Sequence, residues 1–310
     1  MKQLLKNILL FTCIFVGSLY VLQIAISFRI HGKSITGYDT LDTTKNINAD
    51  LVFLGSSRCW AHFDPKFFNK NYNLKSVNIG MNGFSEIIAS ELRLKNYLAK
   101  NKSPKFAILN IDPFIKSGEI KNNQTLANKN DYARYAFIPT KENLAIVDFY
   151  KFNTAEKYIP LFALFKYKIV SDCITLKNSN SFPDGFENND EQWDTIKYPI
   201  SDSNKKRYIK QNDIPNITQS LKKLNAFCQE KNIQLICIQT PVYKVVYDAK
   251  AFATTKAICQ SLNIPFVDAN YEPIINTISN FYNAIHLNKR GVIEMNKLLK
   301  NEKELAEFLK

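Results

Sequence analysis

Five short apolar runs, each stopped by turn residues, constrain the fold of this chain more than any other feature. They are Leu51 to Leu54 (LVFL), Ser76 to Ile79 (SVNI), Phe106 to Ile111 (FAILNI), Gln234 to Ile238 (QLICI) and Pro265 to Val267 (PFV). A run this short and this continuously apolar is what a strand buried on both faces looks like. Between the runs lie segments of helical spacing. Ile88, Leu92 and Leu98 follow a start near Ser85, Ile217, Leu221, Leu224 and Cys228 mark a second helix, Ala249 to Leu262 a third, and a C-terminal helix runs from about Lys289. Strands that return through helices predict an α/β domain, a three-layer doubly wound parallel sheet of five strands covered on both faces.

Two segments lie outside that rhythm. From Ile8 to Phe28 roughly twenty residues carry no charge, and at ~1.5 Å per helical residue they match the ~30 Å hydrocarbon core of a bilayer. The run is longer than the apolar part of a cleaved signal and Ser27-Phe28-Arg29 follows directly, so the reading is an uncleaved transmembrane signal anchor. The expected organisation is a short tail at 1–7, the span at 8–28, a polar linker at 29–49 and the α/β domain at 50–310. Lys2 and Lys6 balance Arg29 and Lys33, so charge alone leaves the orientation open. The expectation is a single-pass protein of the cell membrane with its domain outside the cytoplasm. The second segment, about 114–213, is rich in Asn, Lys, Tyr and Phe and reads as an insertion between the third and fourth strands. Insertions of this length in compact domains are often lids or binding loops.

Composition excludes several classes of function. With 9 glycines and 11 prolines the chain is not collagen-like, and three histidines with scattered cysteines leave little for a metal cluster. No metal and no cofactor is expected, because P-loop, GxGxxG, HExxH and CxxC patterns are all missing. Five cysteines follow the apolar segment, an odd number that does not suggest a disulfide framework. Cys228, Cys237 and Cys259 sit in apolar patterns and read as small buried hydrophobes. The formal charge of +13 permits attraction to anionic polymers, membranes or nucleic acid. The lysines are dispersed, however, and no RRM, KH or helix-turn-helix signature accompanies them, so no nucleic-acid partner is expected.

In an open parallel sheet, ligands bind beyond the carboxyl ends of the strands. The first strand delivers Gly55-Ser56-Ser57-Arg58, the second Asn78-Ile79-Gly80-Met81-Asn82-Gly83, and the segment before the last helix carries Asn283-Ala284-Ile285-His286-Leu287-Asn288. A serine in a tight turn after a buried strand exposes its hydroxyl over the sheet edge, and the helix that follows offers N–H groups to an oxyanion. These three blocks, in this order, resemble the SGNH (GDSL-type) hydrolase superfamily. The resemblance spans about Asp50 to Leu299, and it is to the membrane-anchored bacterial branch that includes D-alanyl-transfer and alginate-acetylation proteins.

The resemblance implies a flavodoxin-like fold, with Ser57 as nucleophile and Ser56 where the family often has aspartate. His286 is then the catalytic base, and the oxyanion donors are the Ser57 and Gly80 N–H groups, with Asn78 in the family's Asn-x-Gly arrangement. The family's Gly-x-Asn-Asp block is not recognisable, and Asn110 at the corresponding strand end is the candidate for its donor. One departure matters chemically: three residues before the histidine the family usually has aspartate, and this chain has Asn283. An amide can fix the imidazole tautomer but cannot stabilise the imidazolium as a carboxylate does. Either Asp268 or Asp112 replaces the acid, or Ser57 and His286 act as a dyad. Arg58 and His62 follow the serine turn, His62 lining the substrate entrance or packing at a helix start, while Gln239-Thr240-Pro241 is expected to shape the rim.

The expected function is that of a membrane-anchored serine esterase or acyltransferase acting on O-acyl groups of a cell-surface polysaccharide or wall polymer, beside a membrane-bound acyltransferase. The alternative is a catalytically degenerate scaffold of the same fold that binds surface glycan or a membrane partner, supported by Asn283 and the missing third block.

Overall fold

The computed structural model describes residues 1–30, 46–81, 86–114, 152–167, 184–186, 188, 190–199 and 208–310, with the backbone alone at 28–30. The linker expected at 29–49 and the insertion expected at 114–213 lie largely outside them. The chain divides into two compact units, 1–42 with 120–181, and 43–119 with 182–310. By this division 114–119 and 182–213 of the expected insertion fall in the unit that carries the sheet, and 120–181 in the other.

In the first unit, helix α1 (Lys2–Ile30) takes in the whole expected span and the tail before it. Residues 2–27 are long and apolar enough to cross a membrane. The tail is helical because nothing in Lys2 to Asn7 breaks a helix.

The second unit contains β1 (Leu51–Leu54), α2 (Ser57–His62), α3 (Pro65–Tyr72), β2 (Ser76–Asn78), α4 (Ile87–Leu98) and β3 (Phe106–Asn110). In the first unit, two short helices lie between β3 and the next strand in sequence, α5 (Thr154–Tyr158) and α6 (Phe162–Lys166). The second unit then resumes with α7 (Ile214–Glu230), β4 (Gln234–Gln239), α8 (Ala249–Ser261), β5 (Phe266–Asp268), α9 (Glu272–Ile275), β6 (Phe281–Asn283), β7 (His286–Leu287), α10 (Lys289–Leu299) and α11 (Lys303–Phe308).

The sheet is five-stranded and parallel throughout, in the order β2-β1-β3-β4-β5. This is the flavodoxin-like order of a doubly wound fold, in which the chain reverses direction across the sheet between β1 and β3. Both faces are buried, and the strands alternate between them. Leu51, Phe53, Phe106, Ile108, Ile236 and Ile238 enter one core with α3, α10 and α11. Val52, Leu54, Ala107, Leu109, Leu235 and Cys237 enter the other with α4 and α7. Ile217, Leu221, Leu224 and Cys228 are the buried stripe of α7, as their spacing predicts.

The stripe of α4 differs from the expected one. Ile87, Leu94 and Tyr97 are buried, whereas Ile88, Leu92 and Leu98 are half-exposed. The helix also buries Arg93, whose Nε donates to Ile79 O at 3.1 Å, so a polar anchor rotates it away from its most aliphatic face.

Candidate active site

Ser57 is the first residue of α2, directly beyond β1 at the switch point. Gly55 turns the strand into this helix at φ +142°, a conformation that L side chains rarely adopt. A Cβ at Gly55 or Gly80 would come within 2.9 Å of Cys59 Cβ, so α2 rests directly on both glycine backbones. Asn78 holds the other end of the helix, its Nδ2 donating to Cys59 O and Phe63 O at 2.9 Å each. The cost of this short, closely seated helix is two glycines and a buried amide, and its return is a fixed position for Ser57.

His286 reaches Ser57 from the opposite end of the sequence, Ser57 Oγ lying 2.9 Å from His286 Nε2. The histidine sits on a two-stranded antiparallel hairpin, β6 with β7, in which Asn283 pairs with His286. Two-residue strands carry no periodic signal, and the hairpin was not expected. Asn283 Oδ1 accepts the Ile285 N–H at 3.1 Å and the His286 N–H at 3.0 Å, and lies 3.0 Å from His286 Nδ1. Two backbone donors fix which end of the amide is oxygen. The Nδ1 facing it must therefore carry the proton, which leaves the Nε2 lone pair for the Ser57 hydroxyl. Tyr282 stacks on the imidazole with centroids 5.2 Å apart and an interplanar angle of 14°.

Arg58 and His62, one helical turn apart on α2, grip the peptides on either side of His286. Arg58 Nε donates to Ile285 O at 3.0 Å, and Leu287 N donates to His62 Nε2 at 2.9 Å. Both side chains are buried, Arg58 at 1% exposure and His62 at 0%. Arg58 also donates from Nη1 to Asp112 Oδ1 at 2.5 Å, and from Nη2 to Thr240 O and, at 3.0 Å, to Pro241 O. His62 Nδ1 lies 2.8 Å from Thr240 Oγ1, which donates to Asn110 Oδ1 at 3.0 Å. Asn110 Nδ2 in turn donates to Asp112 Oδ1 at 3.0 Å, and Ser56 Oγ donates to Asp112 Oδ2. Since Leu287 donates to Nε2, His62 carries its proton on Nδ1, and every link of this chain has one donor and one acceptor.

Several expected roles are corrected by these contacts. Asn110 is 3% exposed, and its amide is engaged by Asp112 and Thr240, so it is a link in the buried network and not a free oxyanion donor. The Gly80 N–H donates to Asn78 Oδ1 at 2.9 Å and is likewise occupied. The Ser57 N–H opens α2 and has no acceptor among the described residues. Neither proposed acid reaches His286. Asp112 is bound to Arg58, Ser56 and Asn110, and exposed Asp268 accepts from Asn270 N at 3.0 Å and Asn270 Nδ2 at 2.6 Å. Thr240 is fully buried rather than on a rim, and His62 supports the histidine loop rather than an entrance. Ser56 caps α2, its Oγ accepting the Arg58 N–H at 3.2 Å. Asn82 lies outside the described residues.

The electrostatics follow from this enclosure. Burial, with the Arg58 guanidinium as a second cause, pushes the His286 imidazole down to about 3. His62 is held well below the ordinary histidine range by burial, then by Arg58 and His286. Burial and nearby Asp112 raise the Cys59 thiol, which therefore remains protonated. Both histidines are neutral at physiological pH. Among the described residues no cluster of three metal-ligating side chains exists.

No family model matches the chain. Over 128 residues, 37% of this chain and 46% of the relative, it is 33% identical to a protein of Shewanella sediminis (strain HAW-EB3) described as a phosphoenolpyruvate synthase regulatory protein. The chain thus spans about half the length of that curated relative. A solved structure described as an acylhydrolase from Bacteroides fragilis NCTC 9343 aligns with 84% of this chain and 88% of its own, at 12% identity and a TM-score of 0.40. A GDSL-like lipase from Bacteroides thetaiotaomicron VPI-5482 aligns over 86% and 89%, at 13% identity and a TM-score of 0.38.

Proposed function

We propose that this chain is a serine esterase or acyltransferase that acts on O-acyl groups of a cell-surface polysaccharide or wall polymer. One observation carries the reading: the Ser57 hydroxyl lies 2.9 Å from a ring nitrogen that Asn283 keeps unprotonated. That pair forms a nucleophile and its general base. Ser57 Oγ bonds to the acyl carbon as its proton passes to His286 Nε2. The same proton then goes to the departing alcohol oxygen as its bond to carbon breaks. Water, or a sugar hydroxyl in the transferase case, reverses both steps and releases the acyl group. The Ser57 N–H is the first donor to the tetrahedral oxyanion, and Gly80 joins it on leaving Asn78.

The substrate class and the placement outside the cytoplasm come from the resemblance to membrane-anchored SGNH proteins, with α1 as the anchor. A fluorophosphonate probe tests the chemistry directly, because it labels only an activated serine. Labelling of the full chain in detergent, lost in Ser57→Ala, is the expected result. No labelling of the folded protein favours the second reading, a scaffold that binds glycan or a membrane partner without turning it over. Asn283 and the occupied Gly80 and Asn110 donors are what support that alternative.

A further inference from the structure

In the first unit, α1 carries a polar stripe on an otherwise apolar helix. Gln23 and Ser27 are 4% and 0% exposed, while Phe11, Ile14, Phe15 and Val21 are open. Tyr20 and Gln23 bond the segment around α5 and α6. Tyr20 OH donates to Tyr158 O at 2.6 Å, and the Leu161 N–H donates to Gln23 Oε1. This segment is fastened internally by buried Glu156, which closes a capping box with Asn153 and accepts from Tyr167 OH at 2.6 Å and from Lys166. Its Ala163, Leu164 and Phe152 are buried, yet Tyr158, Ile159, Phe162 and Phe165 are 63%, 52%, 41% and 62% exposed.

We propose that residues 158–165 are a second membrane contact, in which Tyr158, Ile159, Phe162 and Phe165 insert into the lipid beside α1. The proposal rests on the reading of α1 as a membrane span. If the hydrocarbon boundary lies near Arg29, Gln23 is ~9 Å and Tyr20 ~14 Å inside it, at ~1.5 Å per residue. A backbone N–H or C=O at that depth has no water to bond, and each must find a protein partner. Tyr20 and Gln23 supply those partners to Tyr158 and Leu161, which explains polar side chains in so apolar a helix. The four open side chains then face acyl chains, where large apolar groups are stable. The charge of Lys166 is met by buried Glu156, and the long stem of Lys157 lets its ammonium reach towards the headgroups.

The test uses the full chain reconstituted in vesicles of phosphatidylcholine with a minority of phosphatidylglycerol. A bimane label is placed either on native Cys13, which is exposed on α1, or on Phe165→Cys in a Cys13→Ala background, with Cys173→Ser in both. The other cysteines are buried and unreactive. Each label is challenged with brominated acyl chains and with aqueous iodide. Strong quenching by brominated lipid and protection from iodide at both positions is the expected result. Lipid quenching at Cys13 with iodide quenching at Phe165→Cys overturns the second contact and leaves α1 as the only anchor among the described residues. Protection of Phe165→Cys from both quenchers overturns it too, because a second copy of the chain then covers the patch. Iodide quenching at Cys13 removes the membrane reading itself, and the proposal with it.

Discussion

Asn283 and His286 are joined twice, the amide Oδ1 lying 3.0 Å from the imidazole Nδ1 and 3.0 Å from the backbone N–H of the same histidine. An aspartate with three donors aimed at one oxygen would be held in the same way, so the geometry of a triad is intact while its charge is missing. The ring is oriented by a dipole and by the two α2 side chains that hold its flanking peptides. Ser57 and His286 are thereby registered through a single helix, since Ser57, Arg58 and His62 all belong to α2.

The two adjacent serines should separate cleanly on substitution. Ser57→Ala removes the attacking oxygen and should abolish both fluorophosphonate labelling and hydrolysis of p-nitrophenyl acetate. Ser56→Ala removes a helix cap and one hydrogen bond to buried Asp112, which costs about 1–3 kcal/mol of stability but leaves Ser57 beside His286. Labelling of Ser56→Ala should therefore persist at reduced rate. Equal loss in the two variants would remove Ser57 from the nucleophile's place.

Arg58→Lys tests the grip on the histidine loop. A lysine offers one ammonium where the guanidinium fork serves Ile285, Asp112, Thr240 and Pro241. Misplacing His286 by a fraction of an ångström should lower kcat about 10- to 100-fold with little change in KM. Arg58→Ala goes further and strands a buried carboxylate, at a cost of about 3–5 kcal/mol. A kcat unchanged in Arg58→Lys would show that His286 is held without its help.

The sheet was legible almost to the residue because every strand is buried on both sides, which turns each into a continuous apolar run. Ser57 and His286 were legible as motif residues. What surrounds them was not. The chain from Asp112 through Asn110, Thr240 and His62 to Leu287 joins four separate parts of the sequence, and only folding shows that Asn110 is already engaged by Thr240, 130 positions away. Tyr282 and the hairpin beneath it left no signal either, since strands of three and two residues are too short for a period to register. The face of α4 was misread for the opposite reason: its aliphatic residues are real, but Arg93 and Asn96 turn inward instead.

Two neutral histidines, His62 buried and His286 half-buried, predict acid lability within a definite window. In the unfolded chain both titrate near the ordinary value of about 6.5. Folded His286 titrates at about 3, and His62 well below its ordinary value. The unfolded state therefore binds protons that the native state refuses, so stability is full above about pH 6.5 and falls as pH drops below it. The limiting slope is about 1.4 kcal/mol per pH unit for each histidine. Thermal midpoints in detergent at about pH 7.5 and about pH 5 measure this, and His62→Leu should flatten the slope while lowering stability by about 1–3 kcal/mol. A midpoint independent of pH across that window would mean that both histidines are protonated in the native state.

The last prediction concerns the missing charge. In the parent protein His286 is neutral down to about pH 4, so kcat/KM should be flat from neutral pH to about pH 5, without an acid limb near 6.5. Its low proton affinity also makes it a weak base, and among the described residues the imidazolium formed in the transition state meets an amide oxygen at Nδ1 and no carboxylate. Asn283→Asp places a carboxylate where three N–H groups already point, adding charge without demanding a new arrangement. The carboxylate raises the imidazole pKa, by about 1–3 units for an opposite charge in contact. It also stabilises the transition state, so turnover at pH 7 should rise about 10- to 1000-fold, a fraction of the ~10⁴ that a triad acid supplies. The sign of the pH effect is set by which form is active. Only neutral His286 accepts the Ser57 proton, so a raised pKa moves the acid limb upward, and the variant should lose activity between about pH 6 and pH 4 where the parent does not. A parent profile already falling near 6.5 would show that His286 is not held down by its surroundings. A variant no faster than the parent would show that the imidazolium is stabilised by a group other than residue 283, and that the Ser57 and His286 pair never lacked its acid.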